Sequence, residues 1–136
     1  MRITHQGKTQ VLHYAKTTTC RLGDDGKSIV MEDREVSPWT GKPLVVSSVI
    51  RYDANTEKYK AMVWDTDGEV RLFVLNVDDS KIVFEQVDCD QSTTFSSTVT
   101  MKEESLEEQG SVVRTGEHAY TVEWKIRYTR SDTTRN

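Results

Sequence analysis

The stretch from Val45 to Leu75 constrains the fold more than any other part of the chain. It holds three runs of alternating side chains, separated by residues 53–57 (Asp53, Ala54, Asn55, Thr56, Glu57) and by residues 65–68 (Asp65, Thr66, Asp67, Gly68). Both separators are rich in turn formers, and Asp67-Gly68 between apolar runs is a strong hairpin signal. Opposed residues of an antiparallel pair share a face, and side chains alternate along each strand. With an even number of residues in each loop, Tyr52 falls opposite Tyr59, Ile50 opposite Ala61, Ser48 opposite Val63, and Val63 opposite Leu72 or Val70. One face then carries Leu44, Val46, Ser48, Ile50, Tyr52, Tyr59, Ala61, Val63, Val70, Leu72 and Val74, and no charge. The other carries Arg51, Lys58, Lys60, Glu69 and Arg71, together with Met62, Trp64 and Phe73. An odd loop at either turn mixes the two faces, because a one-residue slip turns every side chain over. The even reading predicts a sheet with an uncharged inner face.

The rest of the chain repeats the same pattern. Met1 to Thr9 is polar and is expected to be loose. Gln10 to Leu22 reads as a first strand, with a β-branched run at Thr17, Thr18 and Thr19. Lys27 to Val36 reads as a second, with Ile29 and Met31 on one face, and Pro38 ends it. Trp39, in the loop that follows, is expected to pack as a lid over an open barrel end, with a ligand contact as the alternative. Lys81 to Val87 is another strand, of undecided parity. From Thr93 to Met101 the residues Phe95, Ser97, Val99 and Met101 share a side. Lys102 to Gln109 has helical composition but is too short for an isolated helix. A strand over Ser105 to Arg114, turning at Thr115 to Glu117, fits its neighbours better. Ala119 to Arg130 alternates most clearly: Val122, Trp124, Ile126 and Tyr128 face in, while Glu123, Lys125 and Arg127 face out. The prediction is an all-β antiparallel meander of about nine strands, curled into a barrel or strongly curved sheet over residues 10–130, with a polar tail at 131–136.

The segment Arg51 to Tyr59, followed by a strand bearing Trp64 and then by Asp67-Gly68, resembles the middle of a bacterial family of small lipocalin-like proteins of unknown function. That family belongs with lipocalins and fatty-acid-binding proteins in the calycin group. Trp124 to Arg130 is similar to the family's last strand, so the resemblance spans about residues 44–130. It implies a calycin-like barrel and carries over no functional residue. Two positions differ from the family's pattern. No Gly-x-Trp opens the first strand, and Glu57 stands where the family's turn often has Gly.

At 136 residues the chain is most simply one domain. Hydrophobic residues make up only 35% of it and charged residues 29%, which suits an antiparallel sheet with a wet outer face better than a sheet buried on both sides. A net charge of −4, with scattered basic residues, argues against nucleic acid, whose phosphates call for a basic stripe. No run is long enough to cross a bilayer and no signal-peptide core is visible, so no membrane partner is expected and the default location is cytoplasmic. Cys20 and Cys89 read as structural thiols, with a disulfide as the alternative.

Motifs for chemistry are sparse. The chain has no phosphate-cradling glycine loop, no His-Glu-x-x-His, no Cys-x-x-Cys and no Gly-x-Ser-x-Gly. His5 lies in the polar start. His13 and His118 lie on predicted strands, and His118 is near Tyr120, so a His–Tyr–carboxylate site is one reading. The plainer one is a histidine at a strand end with satisfied nitrogens. Glu103, Glu104, Glu107 and Glu108 form an acidic run that lacks the ligand pattern of a calcium loop, and a solvated edge is its expected role. The barrel interior remains. Ser48, Ala61, Val63 and Val70 are small for a core face and leave volume. The expectation is a non-catalytic protein holding a small, mostly apolar ligand, with no cofactor and no metal. Tyr52, Tyr59, Ala61, Leu72, Trp124 and Tyr128 are the candidate lining residues. The alternatives are a small hydrolase or isomerase, and a dimerisation module built on Met62, Trp64 and Phe73 as an outward apolar patch.

Overall fold

The computed structural model describes residues 1–13, 15–37, 40–87 and 92–129. Pro38, Trp39, Cys89, the expected strand end at Arg130 and the polar tail at 131–136 lie outside the described residues. The described chain forms eleven strands: β1 (Arg2–His5), β2 (Lys8–Val11), β3 (Thr17–Leu22), β4 (Ser28–Val36), β5 (Pro43–Asp53), β6 (Lys58–Asp65), β7 (Val70–Val77), β8 (Lys81–Gln86), β9 (Thr93–Met101), β10 (Ser105–Arg114) and β11 (Tyr120–Thr129). They make one antiparallel sheet in the order β2-β1-β11-β10-β9-β8-β7-β6-β5-β4-β3, curved into a half-barrel.

The curvature follows from chain length. Strands β2 and β3 are the two opposite edges of the sheet, yet only residues 12–16 join them. A flat sheet of this width would span roughly 48 Å at about 4.8 Å per strand gap. The joining segment reaches about 20 Å when fully extended. The sheet must therefore curl until its edges approach.

The eleven strands exceed the expected nine because the N-terminus is ordered as a hairpin. β1 pairs with β11, placing Ile3 opposite Val122, and β2 turns back along β1. Gln6 and Gly7, with φ of 50° and 72°, make the two-residue turn. The expected strand over Gln10 to Leu22 is in fact the end of β2, the joining segment and β3.

The first central hairpin has the expected register: Tyr52 opposite Tyr59, Ile50 opposite Ala61, Ser48 opposite Val63. The Asp53 carboxylate closes its turn by accepting bonds from the Asn55 amide at 3.0 Å and the Thr56 hydroxyl at 3.0 Å. Glu57 adopts φ 54°, a conformation that glycine takes without the steric cost of a Cβ.

The second central hairpin corrects the sequence reading. Val63 lies opposite Arg71, Ala61 opposite Phe73 and Tyr59 opposite Leu75. The Asp65 amide donates to the Glu69 carbonyl at 3.2 Å, leaving the odd loop Thr66, Asp67, Gly68. Gly68, at φ 89°, supplies the left-handed residue of a three-residue turn rather than half of a two-residue one. Beyond that turn every side chain changes face. Arg71, Phe73 and Leu75 point inward, and Val70, Leu72 and Val74 point outward.

The core sits on this corrected inner face. Ala61, Phe73 and Leu75 are buried, with Ile50, Val63, Ile82, Phe84 and Phe95 packed against them. Phe73 is 2% exposed, and burying a phenyl ring so fully stabilises by roughly 1.5–3 kcal/mol. Its ring meets Phe95 edge-on at 5.1 Å between centroids and Phe84 at 6.1 Å. On the convex side Met62 and Leu72 are exposed and paired across the sheet, so Leu72 takes the place that the sequence reading assigned to Phe73.

Candidate functional site

The concave face holds an open cavity of about 980 Å³. The alternation of β9, β10 and β11 builds one wall. Ser97 lies opposite Gly110 and Gly110 opposite Trp124, so these three form one row across the strands. Glu108 and Val99 form the adjacent row with Ile126. The Trp124 indole covers Gly110 so closely that a Cβ there would lie 2.4 Å from Cζ2 and 2.6 Å from Cε2 of that ring. Gly110 is thus the residue that lets the indole lie flat on β10, beside Phe95 at 5.3 Å between ring centroids.

Glu108 is the hub of the wall. Its Oε1 accepts bonds from the Trp124 Nε1–H at 3.1 Å and the Ser97 hydroxyl at 3.2 Å. Its Oε2 accepts from the Tyr128 hydroxyl at 2.5 Å and meets the Lys16 ammonium at 3.1 Å. Lys16, at the end of the segment joining the two sheet edges, also reaches Asp33 Oδ2 at 3.1 Å. The Thr18 hydroxyl donates to Asp33 Oδ1 at 2.5 Å. Lys16 therefore ties β4 to β10 across the concavity, with its ammonium 5.5 Å from the Tyr128 ring centre. The Lys16 and Glu108 side chains are only 9% and 13% exposed, so this ion pair is largely removed from water.

The electrostatics follow from that network. Burial pushes the Glu108 carboxyl up, but the Lys16 ammonium, the Tyr128 hydroxyl and the Trp124 N–H outweigh it and hold the carboxyl below its usual range. Burial and the adjacent Glu108 charge raise the Tyr128 hydroxyl, which stays protonated and donates. Glu35, on the same concave side, has the opposite balance. Burial, with the charges of Glu108 and Asp65, pushes its carboxyl up to about 7.

The expected lining residues separate into three groups. Trp124 and Tyr128 line the cavity. Ala61 belongs to the packed core beside Phe73. Tyr52 and Tyr59 stack edge-on at 5.2 Å but are 48% and 42% exposed, and neither lines the cavity. Leu72 is 41% exposed on the convex side, because of the odd turn that precedes it. The inner face is also not uncharged: Asp33, Glu35, Arg71 and Glu108 all project into the cavity. Sequence reasoning left Glu108 in a solvated acidic run. The spacing Leu106, Glu108, Gly110, Val112 along an alternating strand was the signal that it faces inward. No local signal points to Lys16, whose partners lie on distant strands.

His5, His13 and His118 are all exposed, and none lines the cavity. Cys20 carries a free, exposed thiol on β3. Among the described residues no group of three or more His, Cys, Asp or Glu is placed to hold a metal ion. No helix among the described residues is long and apolar enough to cross a membrane. No protein-family model matches the chain, and no curated protein matches it.

Proposed function

We propose that this chain is a calycin-like binding protein that holds a small, mostly apolar molecule in the hollow of its curved sheet. The observation that carries the reading is the cavity of about 980 Å³, a size typical of small-molecule sites. Phe73, Phe84, Phe95, Trp124 and Ile126 supply apolar wall to it. A few fixed polar groups beside such a wall give orientation, and the Glu108 network has that character. Its hydroxyl, indole and ammonium donors are engaged by carboxylates, so the wall is rigid before a ligand arrives and little ordering entropy is lost on binding. The exposed positions of His13 and His118 favour binding over a histidine-based reaction in the same hollow.

Native mass spectrometry of the protein purified from its own host tests the reading. The expected result is a co-purifying small molecule that is lost when Val63→Trp fills the hollow. A bare mass in the wild type, together with no retention of any apolar probe, overturns it.

A further inference from the structure

Among the described residues, the lysine and arginine cations around the cavity are already committed. Lys16 spans Asp33 and Glu108 at 3.1 Å each, Arg71 holds Glu69 at 2.5 Å, and Lys102 holds Glu107 at 2.9 Å. Two half-buried carboxylates in the cavity wall are left without a cation among the described residues: Glu35 and Asp65. They flank β5 from either side. Glu35 lies opposite Leu44 on β4, and Asp65 opposite Val46 on β6, so both project into the hollow beside apolar side chains. Asp65 also accepts the amides of Asp67 and Glu69, which fixes its direction. Among the described residues Glu35 has no such donor, and burial beside the charges of Glu108 and Asp65 leaves its carboxylate poorly stabilised.

A second observation points the same way. Aromatic faces in this cavity already hold the protein's own cations. The Lys16 ammonium lies 5.5 Å from the centre of the Tyr128 ring, and the Arg71 guanidinium 5.7 Å from that of Phe95. Ring faces attract cations, and the attraction grows where water is excluded. The hollow thus combines volume, aromatic wall and unbalanced negative charge.

We propose that the ligand is a cationic amphiphile, an apolar chain or ring system bearing one ammonium group, whose charge sits between Glu35 and Asp65 while its apolar body lies along Phe73 and Phe95. The inference rests on the binding reading above and names the chemistry of its ligand. A neutral ligand leaves both carboxylates without a cation, and an anionic one adds repulsion to burial.

Isothermal titration at pH 8 with decylammonium, decanol and decanoate as probes tests this. Decylammonium should bind at least about tenfold more tightly than decanol, the scale of one partly buried charge-assisted contact. Decanoate should bind most weakly. Glu35→Gln keeps the side-chain shape and should remove most of the preference for decylammonium over decanol. Asp65 is unsuitable for substitution because it also closes a turn. Equal or tighter binding of decanol or decanoate overturns the proposal but leaves the cavity reading standing. So does an ammonium preference that survives Glu35→Gln. Failure of all three probes to bind defeats the cavity reading and the proposal with it.

Discussion

Gly110→Ala is the sharpest test of how the cavity wall is built. A Cβ at this position would stand 2.4 Å from Trp124 Cζ2 and 2.7 Å from the Ser96 carbonyl oxygen, both far inside van der Waals contact. Two responses are open to the protein. The strands can shift to accept the methyl, and overpacking of that kind costs about 1–3 kcal/mol. Alternatively the indole can swing away and give up its 3.1 Å bond to Glu108, and a bond to a charged group is worth roughly 1.5–3 kcal/mol. Alanine in a strand recovers about 0.5–1 kcal/mol relative to glycine through the unfolded chain. The middle of either range, less that recovery, leaves an expected net loss of about 1–1.5 kcal/mol. Urea unfolding followed by circular dichroism should show a lower midpoint with an unchanged slope. In the Trp124→Ala background the indole clash is absent and only the Ser96 contact remains. The second substitution should then cost less by about 1 kcal/mol or more, a coupling that a double-mutant cycle isolates. An unchanged midpoint for Gly110→Ala, or strict additivity with Trp124→Ala, refutes the packing of the indole on Gly110.

Other expectations concern the charges of the hollow. Lys16→Ala leaves Asp33 and Glu108 without their shared cation in a largely dry site, and should cost about 3 kcal/mol at pH 7 by urea unfolding. That cost should shrink in acid as the carboxylates protonate, and a loss that is constant with pH argues against the ion pair. Glu35 has a folded pKa of about 7, above its unfolded value, so the folded state binds the extra proton between roughly pH 4.5 and 7. Its contribution is fully present below that window and is lost as pH rises through it. Glu35→Gln should flatten this decline and gain about 1 kcal/mol at pH 8, after allowing for the solvent that reaches the cavity. A variant with the same pH slope as the wild type overturns the assignment.

Much of the architecture was legible in local sequence. Strict alternation at Val122, Trp124, Ile126 and Tyr128 placed β11 the right way round, because a period of two permits only one set of side chains to reach the core. The register at Tyr52 and Tyr59 followed from a loop whose ends are closed by Asp53. The second hairpin was not legible, since Asp67-Gly68 serves a two-residue and a three-residue turn equally well. Only the pairing of Asp65 with Glu69 decides between them, and with it whether Phe73 or Leu72 lies in the core. The cavity wall depended on tertiary structure more deeply. Glu108 reads as one more glutamate in an exposed run until Ser97, Trp124 and Tyr128 from other strands, and Lys16 from the joining segment, converge on it. Ser97, Trp124 and Tyr128 reach it from the neighbouring strands β9 and β11, but Lys16, paired with Asp33, meets it because a short segment joins the two edges of a wide sheet and forces it to curl. Alternation is a property of neighbouring residues and is written in sequence. Curvature is a property of chain closure, and it decides which distant residues meet.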